Sequence, residues 1–214
     1  MTSKYDITKS EKFIEEILEQ YKISSKLYNG KGSYNIRRGT AHTVAGFSED
    51  LFALFIAEHM ANHNLAFYVD KSISARLPQK RRATTFRPDL AIVTPSLELT
   101  HYFDLKTNLG WHRDLISYLK AKNDFIEELI NKNQAWITRR WDWKDMDKVT
   151  TLSISRKLKY HIVILFGGNI NKKQLEANIS FAEELEFIKL DVLRYGDETN
   201  HQGFKNILSS LEDI

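Results

Sequence analysis

A chain of 214 residues can bury one well-packed core and is short for two, so we expect a single domain over residues 1–214. The chain contains no cysteine, which excludes disulfides, zinc-thiolate sites and cysteine nucleophiles, so a bound metal would need oxygen or imidazole ligands. A formal net charge of +3 is too small to indicate a partner by itself. The sequence contains no apolar run that would span a bilayer and no signal-like segment at residues 1–6, so we expect a cytoplasmic protein that does not bind membranes.

The first part of the chain predicts a helix followed by an irregular connection. Thr8 and Glu11 have the spacing of a capping box, and apolar residues recur at helical spacing after them, so we expect a helix from about Ser10 to Lys26. Residues 27–46 are rich in glycine and carry several cations, which is typical of a connection. These cations could contact a phosphate or only water.

The second predicted helix carries the first candidate site residue. Ser48 is a typical N-cap, which would begin this helix at Glu49 and continue it to about His63. An acid in the first turn of a helix has a simple explanation, a favourable interaction with the helix dipole, and Glu49 could also contribute to a metal site. The apolar positions predicted to be buried are Leu51, Leu54, Phe55 and Met60.

Basic residues are concentrated after a predicted strand over Leu65–Val69 and an extended arm over residues 72–77. The segment 76–87 contains no acid. Considered alone, such a cluster is typical of a solvated loop or hairpin tip, but it also suits a polyanion bound beside a cation site. The basic residues are Arg76, Lys80, Arg81, Arg82 and Arg87.

Two strands joined by a tight turn follow, over Arg87–Val93 and Leu97–Lys106. Pro88 suits the start of the first strand, and Pro95 suits the turn between the two. The first strand would place Asp89 near its beginning. An acid at that position could simply cap the strand.

The second strand carries an acid and a lysine at alternate positions. Successive side chains of a strand point to opposite faces, so Asp104 and Lys106 share one face, whereas Phe103 lies on the other. We expect Asp89 on the same face as Asp104 across the turn. An alternative is that Asp104 and Lys106 form an exposed ion pair of little energetic weight. By the same alternation His101 shares a face with Phe103, and we interpret it as structural.

The second half of the chain predicts alternating helices and strands around one long connection. Residues 134–152 contain three of the four tryptophans and two arginines. We interpret this segment as a connection packed onto the core, with stacking on nucleic-acid bases as the alternative. The other predicted elements are a helix over His112–Asn131, a buried strand over Tyr160–Phe166, a helix over Lys172–Glu183, a strand over Phe187–Leu193 and a terminal helix after His201.

The order helix, three strands, helix, strand, with acids in the second and third strands, resembles the PD-(D/E)xK nuclease superfamily. The residues that carry the resemblance are Pro88-Asp89, then Asp104-Leu105-Lys106 fifteen positions after the first acid, with Glu49 on the preceding helix. The resemblance implies an α/β fold with a restriction-endonuclease-like core, α-β-β-β-α-β, in which helices flank a central mixed sheet. That core would cover about 47–167, with a helical extension over 1–46 and an αβα elaboration over 168–214.

The resemblance also implies an activity and a metal site. The protein would be a magnesium-dependent DNA endonuclease, most like a type II restriction enzyme, with Mn²⁺ as a possible substitute. Asp89 and Asp104 would be the main metal ligands, the carbonyl of Leu105 a third, and Glu49 an outer ligand. Lys106 would orient the attacking water, lower the pKa of that water or neutralise the developing charge.

The implied partner is DNA, bound by the five cations of segment 76–87 and by Arg113 or His112 at the start of the next helix. Cleavage of both strands of a duplex leaves a homodimer open. Two alternatives remain beside the restriction enzyme. One is a repair or junction nuclease that recognises DNA structure, and the other is a non-catalytic nucleic-acid-binding module with the same fold.

Overall fold

The computed structural model describes residues 5–28, 43–61, 64–78, 80–107, 114–138, 149–168 and 171–212. The helices in these ranges are α1 (Ile7–Tyr28), α2 (Thr43–Met60), α3 (Leu115–Lys132), α4 (Lys172–Glu183) and α5 (His201–Ser210). The strands are β1 (Ala66–Val69), β2 (Ile73–Ala75), β3 (Thr84–Phe86), β4 (Leu90–Val93), β5 (Glu98–Lys106), β6 (Ala135–Thr138), β7 (Val149–Ile164), β8 (Ile188–Val192), β9 (Arg194–Tyr195) and β10 (Glu198–Thr199). None of the described helices is long and apolar enough to cross a bilayer.

The chain is an α/β protein built around a central mixed sheet, as expected. In this sheet β1 pairs with β4 and β4 with β5 in antiparallel fashion, whereas β5 pairs with β7 and β7 with β8 in parallel. The long strand β7 also pairs at its beginning with β6, which continues through β2 to β3. One strand therefore joins the basic β2–β3 hairpin to the strands that carry the acids. Because β8 pairs directly with β7, residues after 168 extend the sheet itself.

Alternation of side chains along the strands divides the apolar residues into two layers. Leu90, Ile92 and Phe103 pack under α1, α2 and α5, whereas Ala91, Tyr102 and Tyr160 pack under α3 and α4. The prediction that Phe103 points away from Asp104 is therefore confirmed, because Asp104 contacts tyrosines of the second layer. The sheet is covered on both faces.

Both N-terminal helices begin earlier than predicted. Residue Ile7 begins α1, where the Thr8 N–H donates to Asp6 Oδ1 at 2.9 Å, so Asp6 rather than Thr8 supplies the capping oxygen. Thr43 begins α2, and Ser48 lies inside this helix with its hydroxyl donating to the Val44 carbonyl at 2.8 Å. The predicted N-cap at Ser48 is therefore wrong.

Two consequences follow for the predicted face of α2. Glu49 is not in the first turn, which contains no acid, so the helix-dipole explanation does not apply to it. Leu54, predicted to be buried, is 55% exposed, and Leu51 is half-buried. Phe55 and Met60 are buried as predicted.

The segment 134–152 is not a plain connection. Residues 135–138 form β6, and β7 begins at Val149, eleven residues before the predicted start at Tyr160. Trp136 lies in β6 opposite Thr151. Arg139, Arg140, Trp141 and Trp143, like Lys31, Arg37 and Arg38 of the first connection, lie outside the described residues.

Candidate active site

Two aspartates meet where β4 begins and β5 approaches its end. Leu90 pairs with Phe103, which places Asp89 opposite Asp104, and the Asp89 N–H donates to the Phe103 carbonyl at 3.0 Å. Asp89 Oδ2 accepts a hydrogen bond from the Leu105 N–H at 2.6 Å. Directly opposite residues of an antiparallel pair point to the same side, so the two acids share a face as predicted.

Asp104 is buried and holds several hydrogen bonds. Lys106 donates to Oδ1, while the hydroxyl groups of Tyr118, at 2.7 Å, and Tyr160 donate to Oδ2. The two tyrosine oxygens lie 2.8 Å apart. The side chains of Lys106 and Asp104 are only 20% and 12% exposed, so the alternative of a solvated surface ion pair is wrong.

The environment moves the pKa values of the two acids in opposite directions. Burial, followed by the negative charge of Asp104 and a hydrogen bond with it, raises the pKa of Asp89 to about 8. Burial also acts to raise the pKa of Asp104, but the charge of Lys106 and the hydrogen bonds from Lys106, Tyr160 and Tyr118 outweigh it and lower the pKa below its usual range. The pair therefore holds negative charge more readily on Asp104 than on Asp89.

A second lysine lies beside this network. Lys122 Nζ is 5.0 Å from the ring centroid of Tyr160 and 5.3 Å from that of Tyr118. Burial among these rings lowers the pKa of Lys122, partly offset by Asp104. Its positive charge is held by ring faces and by the nearby carboxylates.

Glu49 lies at the edge of this arrangement. Its pKa is raised by burial first, then by the charges of Asp70 and Asp50, while Lys106 lowers it and Asp104 raises it slightly further. The charge of Asp70 thus affects the pKa of Glu49 more than the charge of Asp104 does. Glu49 is therefore near the aspartates, and its role as an outer ligand stays a prediction.

Asp70, which directly follows β1, is an acid that the sequence analysis did not identify as a site residue. The backbone N–H of Asp70 donates to the Asp89 carbonyl at 3.3 Å, so Asp70, Asp89 and Asp104 follow one another across three neighbouring strands. Its carboxylate pairs with Arg87 at 3.4 Å. Asp70 therefore contacts both Asp89, through the backbone, and Arg87 of the basic segment, through its side chain.

The five predicted DNA-binding cations of segment 76–87 lie on or beside the β2–β3 hairpin, and these five are exposed. Arg113 and His112 lie outside the described residues, so their phosphate contact stays a prediction. His101 is buried, and its Nε2 lies 3.1 Å from the Ser210 carbonyl, in agreement with a structural role. The exposed cations are Arg76, Lys80, Arg81, Arg82 and Arg87.

Sequence reasoning missed the tyrosines and Lys122. Tyr118 and Lys122 are four positions apart in α3, which places both on one side of that helix. That spacing could have been noticed, but nothing local indicates that this side faces Asp104. Tyr160 was predicted within a buried strand and not as a partner of an acid.

Carboxylate oxygens are suitable ligands for a hard divalent cation, and the two main predicted ligands, Asp89 and Asp104, lie opposite each other. Two carboxylates held face to face repel each other, and a cation between them would remove that repulsion. Within the described ranges no group of three or more acidic or histidine side chains is arranged to hold a metal. A cation here would thus depend on Asp89, Asp104 and further oxygen ligands, and the use of the Leu105 carbonyl stays a prediction.

Comparisons of the chain with protein-family models, with curated proteins and with solved structures found no match.

Proposed function

We propose that this protein is a divalent-metal-dependent endonuclease that hydrolyses DNA phosphodiester bonds, most like a type II restriction enzyme. The observation that carries the proposal is the facing pair Asp89 and Asp104 with Lys106 bonded to Asp104. This is the combination of residues that the resemblance to the PD-(D/E)xK superfamily leads us to expect. It lies on one face of neighbouring strands, next to exposed cations.

The order of the elements supports the same proposal. Helix α2 precedes an antiparallel set made by β1, β4 and β5, and α3 then leads to β7, which is parallel to β5. With the β2–β3 hairpin and β6 set aside, this order is α-β-β-β-α-β. We therefore assign the restriction-endonuclease-like core to α2, β1, β4, β5, α3 and β7 as part of the proposal.

In the proposed reaction, the residues of the site would have the following roles. Asp89 and Asp104, with the Leu105 carbonyl, would hold Mg²⁺ or Mn²⁺, which when bound supplies charge stabilisation and an acidified water. Lys106 would place its ammonium group beside the scissile phosphate, where negative charge develops. Tyr118 and Tyr160 would fix the orientation of Asp104 by donating to its Oδ2.

The basic hairpin supports DNA as the substrate. Its exposed cations would neutralise backbone phosphates, and such contacts position a duplex without reading its sequence. Arg87 connects this surface to the acids through its ion pair with Asp70. A polyanion bound along the hairpin would therefore extend to the neighbourhood of Asp89.

The test is cleavage of supercoiled plasmid and linear duplex by the purified chain with Mg²⁺ or Mn²⁺. We expect Asp89→Asn, Asp104→Asn and Lys106→Gln each to lower the rate by about a hundredfold or more. The matched control is Asp124→Asn, because Asp124 is an exposed acid on α3, and this variant should cut at the wild-type rate. Wild-type protein that cuts no substrate, or site variants that cut normally, would contradict the proposal.

One observation favours a second candidate, a non-catalytic nucleic-acid-binding module. Both oxygens of Asp104 already accept hydrogen bonds from Lys106, Tyr118 and Tyr160, so the network is satisfied by the protein alone. This candidate predicts salt-sensitive DNA binding that needs no divalent metal and is not followed by cleavage. Competition between a four-way junction and a random duplex separates the third possibility, a structure-specific repair nuclease.

A further inference from the structure

A polar cavity of about 750 Å³ lies at the other end of β5 from Asp104. It is partly open to solvent and is lined by residues from the beginning of β5, the middle of β7, the beginning of β8 and the helices α4 and α5. Cavities of roughly 300–1,000 Å³ are the usual size of small-molecule sites. The cavity contains none of the residues assigned above to metal or DNA binding, so its function is independent of the proposed nuclease activity.

An irregularity of β7 brings cations to this cavity. Leu99 pairs with Ile154 and His101 with Lys159, so residues 155–158 of β7 stand opposite Thr100 alone. The extra residues bulge out of the ladder and include Arg156 and Lys157, which are exposed and line the cavity. Bulges of this kind commonly redirect side chains toward a site.

The cations around the cavity have few partners of their own. Within the described ranges Arg156, Lys157 and Lys189 form no ion pair. Lys159 donates to the Glu186 carbonyl at 2.6 Å. The carboxylates of Glu183 and Glu186 also line the cavity and are exposed, so they reduce the positive potential without being bonded to these cations.

The wall formed by β8 and α5 carries Lys189 together with acidic and uncharged polar side chains. Asp191 is buried, with 7% of its surface exposed, and its Oδ1 accepts a hydrogen bond from the side-chain amide of Asn206 at 3.2 Å. Ser209 and Ser210, at the end of α5, complete this wall with hydroxyl groups. Arg156 and Lys157 on the bulge of β7, with Asp191, Asn206 and two serines on the other wall, suit a ligand with a charged phosphate end and an uncharged end that carries hydroxyl or amino groups.

We propose that this cavity binds a free phosphate ester of nucleotide size, with the phosphates on Arg156 and Lys157 and the uncharged end against Asp191 and Asn206. The guanidinium and ammonium groups supply charge-assisted hydrogen bonds to phosphate oxygens. The carboxyl and amide of the opposite wall bond to hydroxyl or amino groups of the ligand. The cavity volume admits one such molecule and not a duplex.

The experiment is calorimetric titration of the full-length chain with ATP, tripolyphosphate and adenosine, at physiological ionic strength and without divalent metal. We expect ATP to bind more tightly than tripolyphosphate, and adenosine to bind least, because the phosphates supply most of the attraction. The double variant Arg156→Ala/Lys157→Ala should weaken ATP and tripolyphosphate by about tenfold or more. Both replaced residues are exposed, so the variant should keep the wild-type circular dichroism spectrum.

Two further variants separate occupation of the cavity from general attraction of anions. Lys172→Ala/Lys173→Ala removes the same charge from the exposed beginning of α4, outside the cavity, and should bind ATP like the wild type. Ser209→Trp fills the cavity without changing charge and should weaken ATP by about tenfold. Absence of ATP binding by the wild type, equal losses in the two double variants, or normal binding by Ser209→Trp would each overturn the proposal.

Discussion

The two faces of the central sheet treat buried polar side chains in opposite ways. On the face covered by α3, Asp104 is buried together with donors from Lys106 and two tyrosines. On the face covered by α5, His161 is fully buried and stacks on Phe103 with ring centroids 4.4 Å apart. Neither ring nitrogen of His161 has a hydrogen-bond partner within the described part of the chain. On the first face, hydrogen-bond donors stabilise the negative charge of Asp104. On the second face, burial favours the neutral form of the His161 ring.

Among the variants that test this difference, replacement of Asp104 should have the largest effect on the free energy of unfolding. Asp104→Ala would leave the Lys106 ammonium and two tyrosine hydroxyls without their acceptor in a largely buried place. We expect the free energy of unfolding to fall by about 3 kcal/mol, measured by urea unfolding at neutral pH. The exposed acid of α3 provides the control, and Asp124→Ala should change stability by less than about 0.5 kcal/mol. A loss from Asp104→Ala as small as that of the control would show that the network contributes nothing to stability.

The buried histidine should make the protein sensitive to acid. Burial, followed by the positive charges of His101, Lys189 and Lys159, lowers the pKa of His161 well below its usual range. Unfolded chains therefore bind a proton at this position from about pH 6.5 downward, and the folded protein does not, so stability falls as the pH falls.

Replacing the ring tests that explanation. His161→Phe keeps a planar ring and removes the titration, so its unfolding free energy should depend less on pH below about 6.5, by up to about 1.4 kcal/mol per pH unit. The measurement is urea unfolding at a series of pH values for both proteins. Asp191 lies on the same face of the sheet as His161, and burial raises its pKa to about 6. This shift favours the folded state as the pH falls, in both proteins alike, so it cancels when their pH dependences are compared. Parallel pH curves for the two proteins would exclude His161 as the source.

A smaller effect should come from one tyrosine hydroxyl. Tyr118→Phe removes one donor from Asp104 Oδ2 but leaves that of Tyr160, so we expect a loss of about 1 kcal/mol in urea unfolding. Tyr195→Phe is the control, because the Tyr195 ring is 41% exposed and its hydroxyl does not donate to Asp89 or Asp104, and it should cost less than about 0.5 kcal/mol. An equal, negligible loss in both variants would mean that Tyr160 alone satisfies Asp104.

The sequence was sufficient to predict that Asp89, Asp104 and Lys106 lie together. Strand alternation places Asp104 and Lys106 on one face, and a single tight turn between two short strands leaves little freedom in how Asp89 meets them. These are local relations, and they are encoded in neighbouring residues.

The supporting residues could not be predicted because they come from far along the chain. Tyr118 and Tyr160 are 14 and 56 positions from Asp104, and no local pattern specifies which faces of α3 and β7 will meet it. The start of α2 was misplaced for a different reason. Ser48 has the chemistry of an N-cap, but its hydroxyl bonds inside the helix to Val44, and the preceding Gly46 suggested a connection.

On the ribosome, Asp104 emerges 56 residues before Tyr160, because β5 pairs in parallel with a strand encoded much later. Until β7 docks, the β4–β5 hairpin exposes both acids to water, where each is ionised at neutral pH. Burial in the folded protein raises the pKa of Asp89, so folding of this region favours the protonated form of Asp89 when no cation is bound. Folding around the two aspartates is thereby linked to pH.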